Sequence, residues 1–290
     1  MSTTRDLDEQ TTPFCSAGPA TETGPVRVWT EHEVVRWKAG VLTPGVDRVA
    51  EEVPVALVYN GISHAVMLAT PADLEDFALG FSLSEGILRD RSDLYGLDVE
   101  QVGNGMQVEL EIATECFVLL KDRRRNLTGR TGCGLCGVET LEQAVRQPRP
   151  VAVSLKIDPE AVHRAMAEMA ERQALQHVTG AVHAAGWATP DGQVGLVRED
   201  VGRHNAVDKL LGAMAREDID ASQGFLVVTS RASYEIVQKA ATRGVGFIAA
   251  ISAPTGLAAR IAAESGVTLL GFTRGEGHVV YAHPERLIAM

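Results

Sequence analysis

The chain is short of cysteine, of long apolar runs and of net positive charge, and each shortage excludes something. Four cysteines among 290 residues do not make a disulfide framework, so a reduced, cytoplasmic setting is expected. No apolar run approaches the ~18 residues that cross a bilayer, and no charged-then-apolar leader opens the chain, so no membrane span or secretory signal is expected. A formal net charge of −11 argues against a general nucleic-acid binder, which needs a basic face. There is no internal repeat, no Walker A loop, and no Gly-x-Gly-x-x-Gly after a strand, so those phosphate cradles do not apply. The 45% apolar content still supplies a real core, in one large or two modest domains.

What the chain does have is Arg130-Thr131-Gly132-Cys133-Gly134-Leu135-Cys136-Gly137. Two thiols lie three residues apart among glycines, behind Lys121, Arg123, Arg124, Arg125 and Arg130. The thiolate is the reactive form of cysteine, and nearby positive charge favours it. Glycine removes side-chain bulk, so a partner or a bulky ligand can approach the loop closely. A zinc site would need two further ligands, and the other cysteines are Cys15 in the tail and Cys116 in an apolar run. A thioredoxin-like dithiol would open a helix after a strand. A solvated charge run is the plainest reading of the basic residues.

Along the chain, residues 1–25 read as a disordered tail and residues 26–150 as a small α+β domain ending in the Cys-x-x-Cys loop. Val53 to Tyr59 and Ile62 to Ala69 flank Asn60-Gly61, a hairpin signal. Thr70-Pro71 reads as the cap and first position of the next helix, and Val108 to Leu120 as a strand carrying Cys116. Gln147-Pro148-Arg149-Pro150 breaks the chain, and residues 151–290 follow as an α/β domain. Asp158-Pro159-Glu160 starts a helix there, and Thr189-Pro190-Asp191-Gly192 turns a hairpin.

The polar cluster Glu199 to Asn205 precedes a helix with buried positions Ala206, Val207, Leu210, Leu211 and Met214. Free N–H groups at such an N-terminus favour phosphate, with Arg203 and His204 adding donors. Ordinary capping by Asp200 is the alternative. Three strands then alternate with two helices, which predicts parallel pairing. Segments after these strands meet at one sheet edge, where open α/β sheets bind ligands. They are Ser230-Arg231-Ala232-Ser233, Ser252-Ala253-Pro254-Thr255 and Phe272-Thr273-Arg274-Gly275-Glu276-Gly277. Hydroxyls, arginines and glycines there suit a nucleotide-like ligand with phosphates.

From about Val26 onward the chain resembles the formate dehydrogenase accessory sulfurtransferase (FdhD) family. The resemblance rests on the Cys133/Cys136 octapeptide, on Glu199 to Lys209, on Ser230 to Ser233 with Glu235 and Lys239, on Thr255 to Ala258, and on Gly271 to Arg274. It implies a homodimer with a cytidine-deaminase-like mixed sheet, flanking helices and a smaller N-terminal α+β domain. It implies that persulfide sulfur from a cysteine desulfurase passes to a bis-molybdopterin guanine dinucleotide cofactor, of molybdenum or tungsten, destined for the formate dehydrogenase catalytic subunit. Carried over, Cys133 bears the persulfide with Cys136 as partner, and Phe272 to Gly277 is the cofactor loop. Arg203, His204, Ser230, Arg231 and Thr255 complete the expected ligand site, with no resident metal, nucleic acid or membrane. Whether Cys136 releases the sulfur by closing onto Cys133 or relays it stays open.

Three rivals remain to be weighed. A zinc deaminase needs His-x-Glu and Pro-Cys-x-x-Cys, but His183-Ala184-Ala185 lacks the glutamate and no proline precedes Cys133. A non-catalytic cofactor chaperone and a thiol oxidoreductase are the others.

Overall fold

The structure, a computed structural model, describes residues 27–125, 147–152 and 154–288. The tail assigned to residues 1–25 and the thiols Cys133 and Cys136 lie outside them. An antiparallel ribbon of β1 (Trp29–Lys38) and β2 (Val41–Ala50) comes first. A four-stranded sheet follows, ordered β4-β3-β6-β5, from β3 (Val53–Tyr59), β4 (Ile62–Ala69), β5 (Leu94–Val102) and β6 (Gly105–Ile112). The expected hairpin forms at Asn60 and Gly61, both at positive φ, as its turn type demands. Helix α1 (Leu74–Ser84) and helix α2 (Thr114–Arg125) belong to this part.

The larger sheet has six strands in the order β12-β11-β10-β9-β7-β8. These are β7 (His183–Ala188), β8 (Val194–Asp200), β9 (Phe225–Val228), β10 (Phe247–Ala250), β11 (Thr268–Arg274) and β12 (Gly277–Ala282). The middle strands β9, β10 and β11 are parallel, as their alternation with helices predicts, and the flanking pairs are antiparallel. This is the expected mixed sheet with flanking helices beside a smaller α+β part. Both faces are covered, so β9 and β10 are buried throughout, and β11 is buried from Thr268 to Gly271. Phe225, Val227, Phe247 and Ala249 pack with helix α3 (Pro159–Glu171) on one face. Leu226, Val228, Ile248 and Ala250 face helices α5 (Arg203–Arg216), α6 (Tyr234–Thr242) and α7 (Gly256–Glu264) on the other. The short helix α4 (Ala174–Thr179) links α3 to β7.

Two local expectations are corrected. Thr70 is not a helix cap: α1 starts at Leu74, with Asp73 at φ 52° as its N-cap residue. Thr70 is used across the molecule instead, its hydroxyl accepting from Val201 N–H and its carbonyl from the Lys209 ammonium. Cys116 lies in α2 rather than in a strand, because β6 ends at Ile112 and Thr114 opens a helix. It remains buried, as expected, and burial raises its thiol pKa. Residues 121–125 are thereby the last of that helix.

The two sheets are joined by α1 lying across α5. A Cβ added at Gly80 would come within 1.7 Å of the Asp208 carbonyl oxygen, and one at Gly212 within 1.9 Å of the Asp76 carbonyl oxygen. Only glycine permits that approach. Around the crossing lie buried charges, some of them paired with partners that reach solvent. Lys209 Nζ sits 2.7 Å from Asp200 Oδ2, both side chains fully buried. Asp200 also accepts from Thr70 N–H, Gly202 N–H and the Asn205 amide. Asp76 of α1 accepts from Arg198 and Arg216 at 2.7 and 2.8 Å. Lys239 lies 2.9 Å from both Asp208 and Glu85. Desolvation works against its ammonium, and those two carboxylates outweigh it, so its pKa is raised.

Two predictions follow from this junction. Helix propensity alone makes Gly212→Ala stabilising by about 1 kcal/mol, whereas the clash makes it destabilising by about 1–3 kcal/mol. The clash is expected to win in urea unfolding of the full chain. Lys209→Ala strands the Asp200 carboxylate in the interior and should cost about 3–5 kcal/mol. Lys209→Ala combined with Asp200→Ala should recover part of that loss, because no unpaired charge is left.

Candidate functional site

The parallel strands point their C-terminal ends toward one edge, and the antiparallel neighbours bring more residues there. His183, the first residue of β7, pairs with Asp200, the last of β8. Helix α5 begins three residues later with Arg203 and His204. Ser230 to Ser233 leave β9, Ser252 to Thr255 leave β10, and β11 passes alongside. Backbone bonds tie the three segments together, Thr255 N–H to Ala232 O at 3.0 Å and Phe272 N–H to Ser252 O at 3.3 Å.

His204 is the best-connected side chain on this edge. Its Nε2 lies 2.7 Å from Glu235 Oε2 and 3.1 Å from the Ser233 hydroxyl. The bond from His204 holds the Glu235 carboxyl below its ordinary pKa. Burial lowers the pKa of His183, and the charges of Arg203 and His204 add to that effect. Gly202 is the N-cap residue of α5 and supplies no side-chain cap, so first-turn N–H groups face the edge uncapped by a side chain. Asp200 therefore does not cap the helix. It bonds the Gly202 N–H and is otherwise committed to Lys209, Thr70 and Asn205. At α7 the Thr255 hydroxyl accepts from Ala258 N–H, so one donor there is already satisfied.

The expected cofactor loop takes a different form from a loop past a strand. Strand β11 continues to Arg274, and the pairing with β12 is irregular between Gly271 and Arg274. Such a bulge re-aims side chains. Phe272 is turned outward at φ 53°, a conformation that costs a non-glycine residue about 1–2 kcal/mol. Thr273 is turned fully inward. Gly271 is required beside it, because a Cβ would meet Pro254 Cδ at 2.8 Å. Arg274 lies 5.8 Å above the Phe272 ring, and Gly275, at φ 59°, Glu276 and Gly277 form the exposed hairpin end.

The structure thus gathers Arg203, His204, Ser230, Arg231, Thr255 and Phe272 along one edge, with Arg274 to Gly277 extending beyond it. Ser230 is buried and donates to the Arg231 carbonyl, while Arg231 itself is exposed. Two polar groups on this edge are buried without a partner among the described residues, Arg203 Nε and the Thr273 hydroxyl. Buried donors left unpaired are costly, and with the open end of α5 they suit an anionic ligand. Ser233 belonged to a segment expected here, whereas His183 and Glu235 were missed as members of this cluster. Glu235 stands 31 positions after His204 in sequence, so only the parallel topology reveals their contact. No group of three or more metal-binding side chains occurs among the described residues.

Cys133 and Cys136 lie outside the described residues. After them the chain resumes beside the end of α7, with Gln147 bonded to Glu264 and Val151 N–H to Ser265 O. That is the edge where β11 starts, opposite the polar edge.

Comparison with known proteins agrees with this arrangement. The crystal structure of a "putative formate dehydrogenase accessory protein" from Desulfotalea psychrophila has the same fold, with a TM-score of 0.73 and 22% identity over 90% of this chain and 100% of that one. The "Sulfur carrier protein FdhD" of Cupriavidus necator is 60% identical over 254 residues, 88% of each chain. Its namesake from Bordetella bronchiseptica is 54% identical over 266 residues, 90% of this chain and 96% of that one. The FdhD/NarQ family profile matches residues 50–288. On that match and those identities, the chain belongs to the FdhD/NarQ family.

Proposed function

We propose that this protein is a cytoplasmic sulfur carrier for formate dehydrogenase, acting as a sulfurtransferase. The observation that carries the reading is the 54–60% identity to relatives named as sulfur carriers, together with the Cys133-Gly134-Leu135-Cys136 motif. In the first step the Cys133 thiolate attacks the outer sulfur of a cysteine desulfurase persulfide. A new S–S bond forms on Cys133, the old one breaks, and the donor leaves as a thiolate. Cys136 is the partner thiol. The acceptor is the bis-molybdopterin guanine dinucleotide cofactor, a substrate here, which then goes to the formate dehydrogenase catalytic subunit.

The polar edge is where this reading puts the acceptor. Its phosphates would meet the α5 N-terminus and the Arg203 and Arg274 guanidinium groups, with Arg231 close by. The unpaired Arg203 Nε and Thr273 hydroxyl support a polar ligand there. The reading also takes the chain as a homodimer.

Two experiments test it. Protein incubated with a cysteine desulfurase and cysteine should gain the mass of one sulfur atom, lost on cyanide treatment, and Cys133→Ala should gain none. An unmodified wild type under those conditions contradicts sulfur carriage and favours a chaperone that only binds cofactor. Guanosine diphosphate serves as the probe for the edge. Each charge-assisted bond removed by Arg203→Ala should weaken it about ten- to a hundredfold by calorimetry, and unchanged affinity would remove Arg203 from the site.

A further inference from the structure

Helix α3 and strand β12 meet at a pair of histidines that neither the polar edge nor the buried junction uses. His163 Nε2 lies 3.1 Å from His278 Nδ1, with the ring centroids 5.1 Å apart and the ring planes tilted by 33°. The elements that carry them set both positions. Asp158 and Pro159 start α3, and Ala161, Val162, Ala165, Met166 and Met169 bury its inner side against the large sheet. His163 is half-buried at the border of that side. On β12, Val279 pairs with Gly271 and Val280 with Leu270. Val280 packs on the same core as α3, and alternate side chains share a face, so His278 lies on the helix side of the sheet too.

Two neutral imidazoles can share only one hydrogen at that contact. His163 Nδ1 is meanwhile buried without a partner among the described residues, so the pair is not a completed polar network. Burial lowers the His278 pKa, and the charge of His163 adds to that effect. Both favour the neutral ring, which is the form that ligates a metal. Two nitrogens bound to one zinc ion at about 2.0–2.1 Å, with tetrahedral angles, lie about 3.3–3.4 Å apart. The pair therefore has to open only slightly to take an ion between its rings. We propose that His163 and His278 together form an exchangeable site for an imidazole-seeking divalent ion such as zinc, bridging α3 and β12. Water completes the coordination, because no third histidine, cysteine or carboxylate joins the pair among the described residues. Two protein ligands instead of four make the site weaker than a structural zinc site, with a dissociation constant on the order of 10 µM. On binding, the ring hydrogens sit on His163 Nδ1 and His278 Nε2, which frees both facing lone pairs for the metal. An occupied site ties α3 to the hairpin end, since His278 directly follows Gly277 and Gly277 pairs with Arg274.

Zinc added to the full chain carrying Cys15→Ser, Cys133→Ser and Cys136→Ser tests this, since those thiols would otherwise compete for the metal. Cys116 stays, being buried. At about 100 µM zinc, roughly ten times the expected dissociation constant, the thermal midpoint should rise by about 3–6 °C. His163→Gln or His278→Gln in the same background should abolish the rise. Arg164→Gln, at the exposed next position of α3, should keep it. No rise in the parent, or a rise that survives both histidine substitutions, overturns the site. Diethyl pyrocarbonate gives a second reading that needs neither substitution. Zinc at that concentration should slow modification of His278, mapped by peptide mass, about tenfold, and an unchanged rate overturns the site as well. Neither measurement depends on sulfur carriage.

Discussion

Two glycines allow α1 and α5 to approach until backbone meets backbone, and the rest of the architecture hangs on that crossing. Gly80 faces the Asp208 carbonyl and Gly212 the Asp76 carbonyl, a distance no side chain would leave open. With the helices that close, Asp76 reaches Arg198 and Arg216, Ser84 donates to Asp208, and Asn205 reaches the Leu68 carbonyl. Each of these contacts joins the four-stranded sheet's layer to the six-stranded one. Buried charges are poor sources of net stability. Their effect here is geometric: Asp200, Asp208, Lys209 and Lys239 find all their partners in one relative placement of the two layers.

That junction divides the segment Glu199 to Lys209 between two tasks. Asp200, Asn205, Asp208 and Lys209 point into the molecule and hold the layers together. Arg203 and His204, in the first turn of α5, stand on the polar edge beside Glu235 and Ser233. The crossing that holds the fold together thereby fixes the orientation of the polar edge.

Much of this was legible in the residues, for identifiable reasons. Continuous apolar runs such as Phe225 to Val228 could only be buried strands, and their alternation with helices dictated the parallel pairing. Asn60-Gly61 and Thr189 to Gly192 announced their turns through local backbone preference. What failed was whatever a distant partner decides. Thr70-Pro71 has the chemistry of a cap, yet its polar groups are claimed by Asp200, Val201 and Lys209, about 130 positions away in the chain. The end of β11 was placed too early because β12 extends the pairing to Arg274. At the candidate site, charged and hydroxyl residues could be named from the strand ends, whereas the His204–Glu235 contact needed the sheet order.

The polar edge and the point where the chain resumes after the thiol pair lie at opposite edges of the large sheet. The proposed function takes up sulfur on Cys133 and delivers it to an acceptor on the polar edge. In that function, loading of the thiol and arrival of the same sulfur in the target enzyme are separate events. The most direct measurement charges the protein with radiolabelled sulfur and mixes it with cofactor and inactive formate dehydrogenase. The label should move to the enzyme in proportion to the activity gained. Active enzyme without label would contradict the account and leave only a cofactor chaperone.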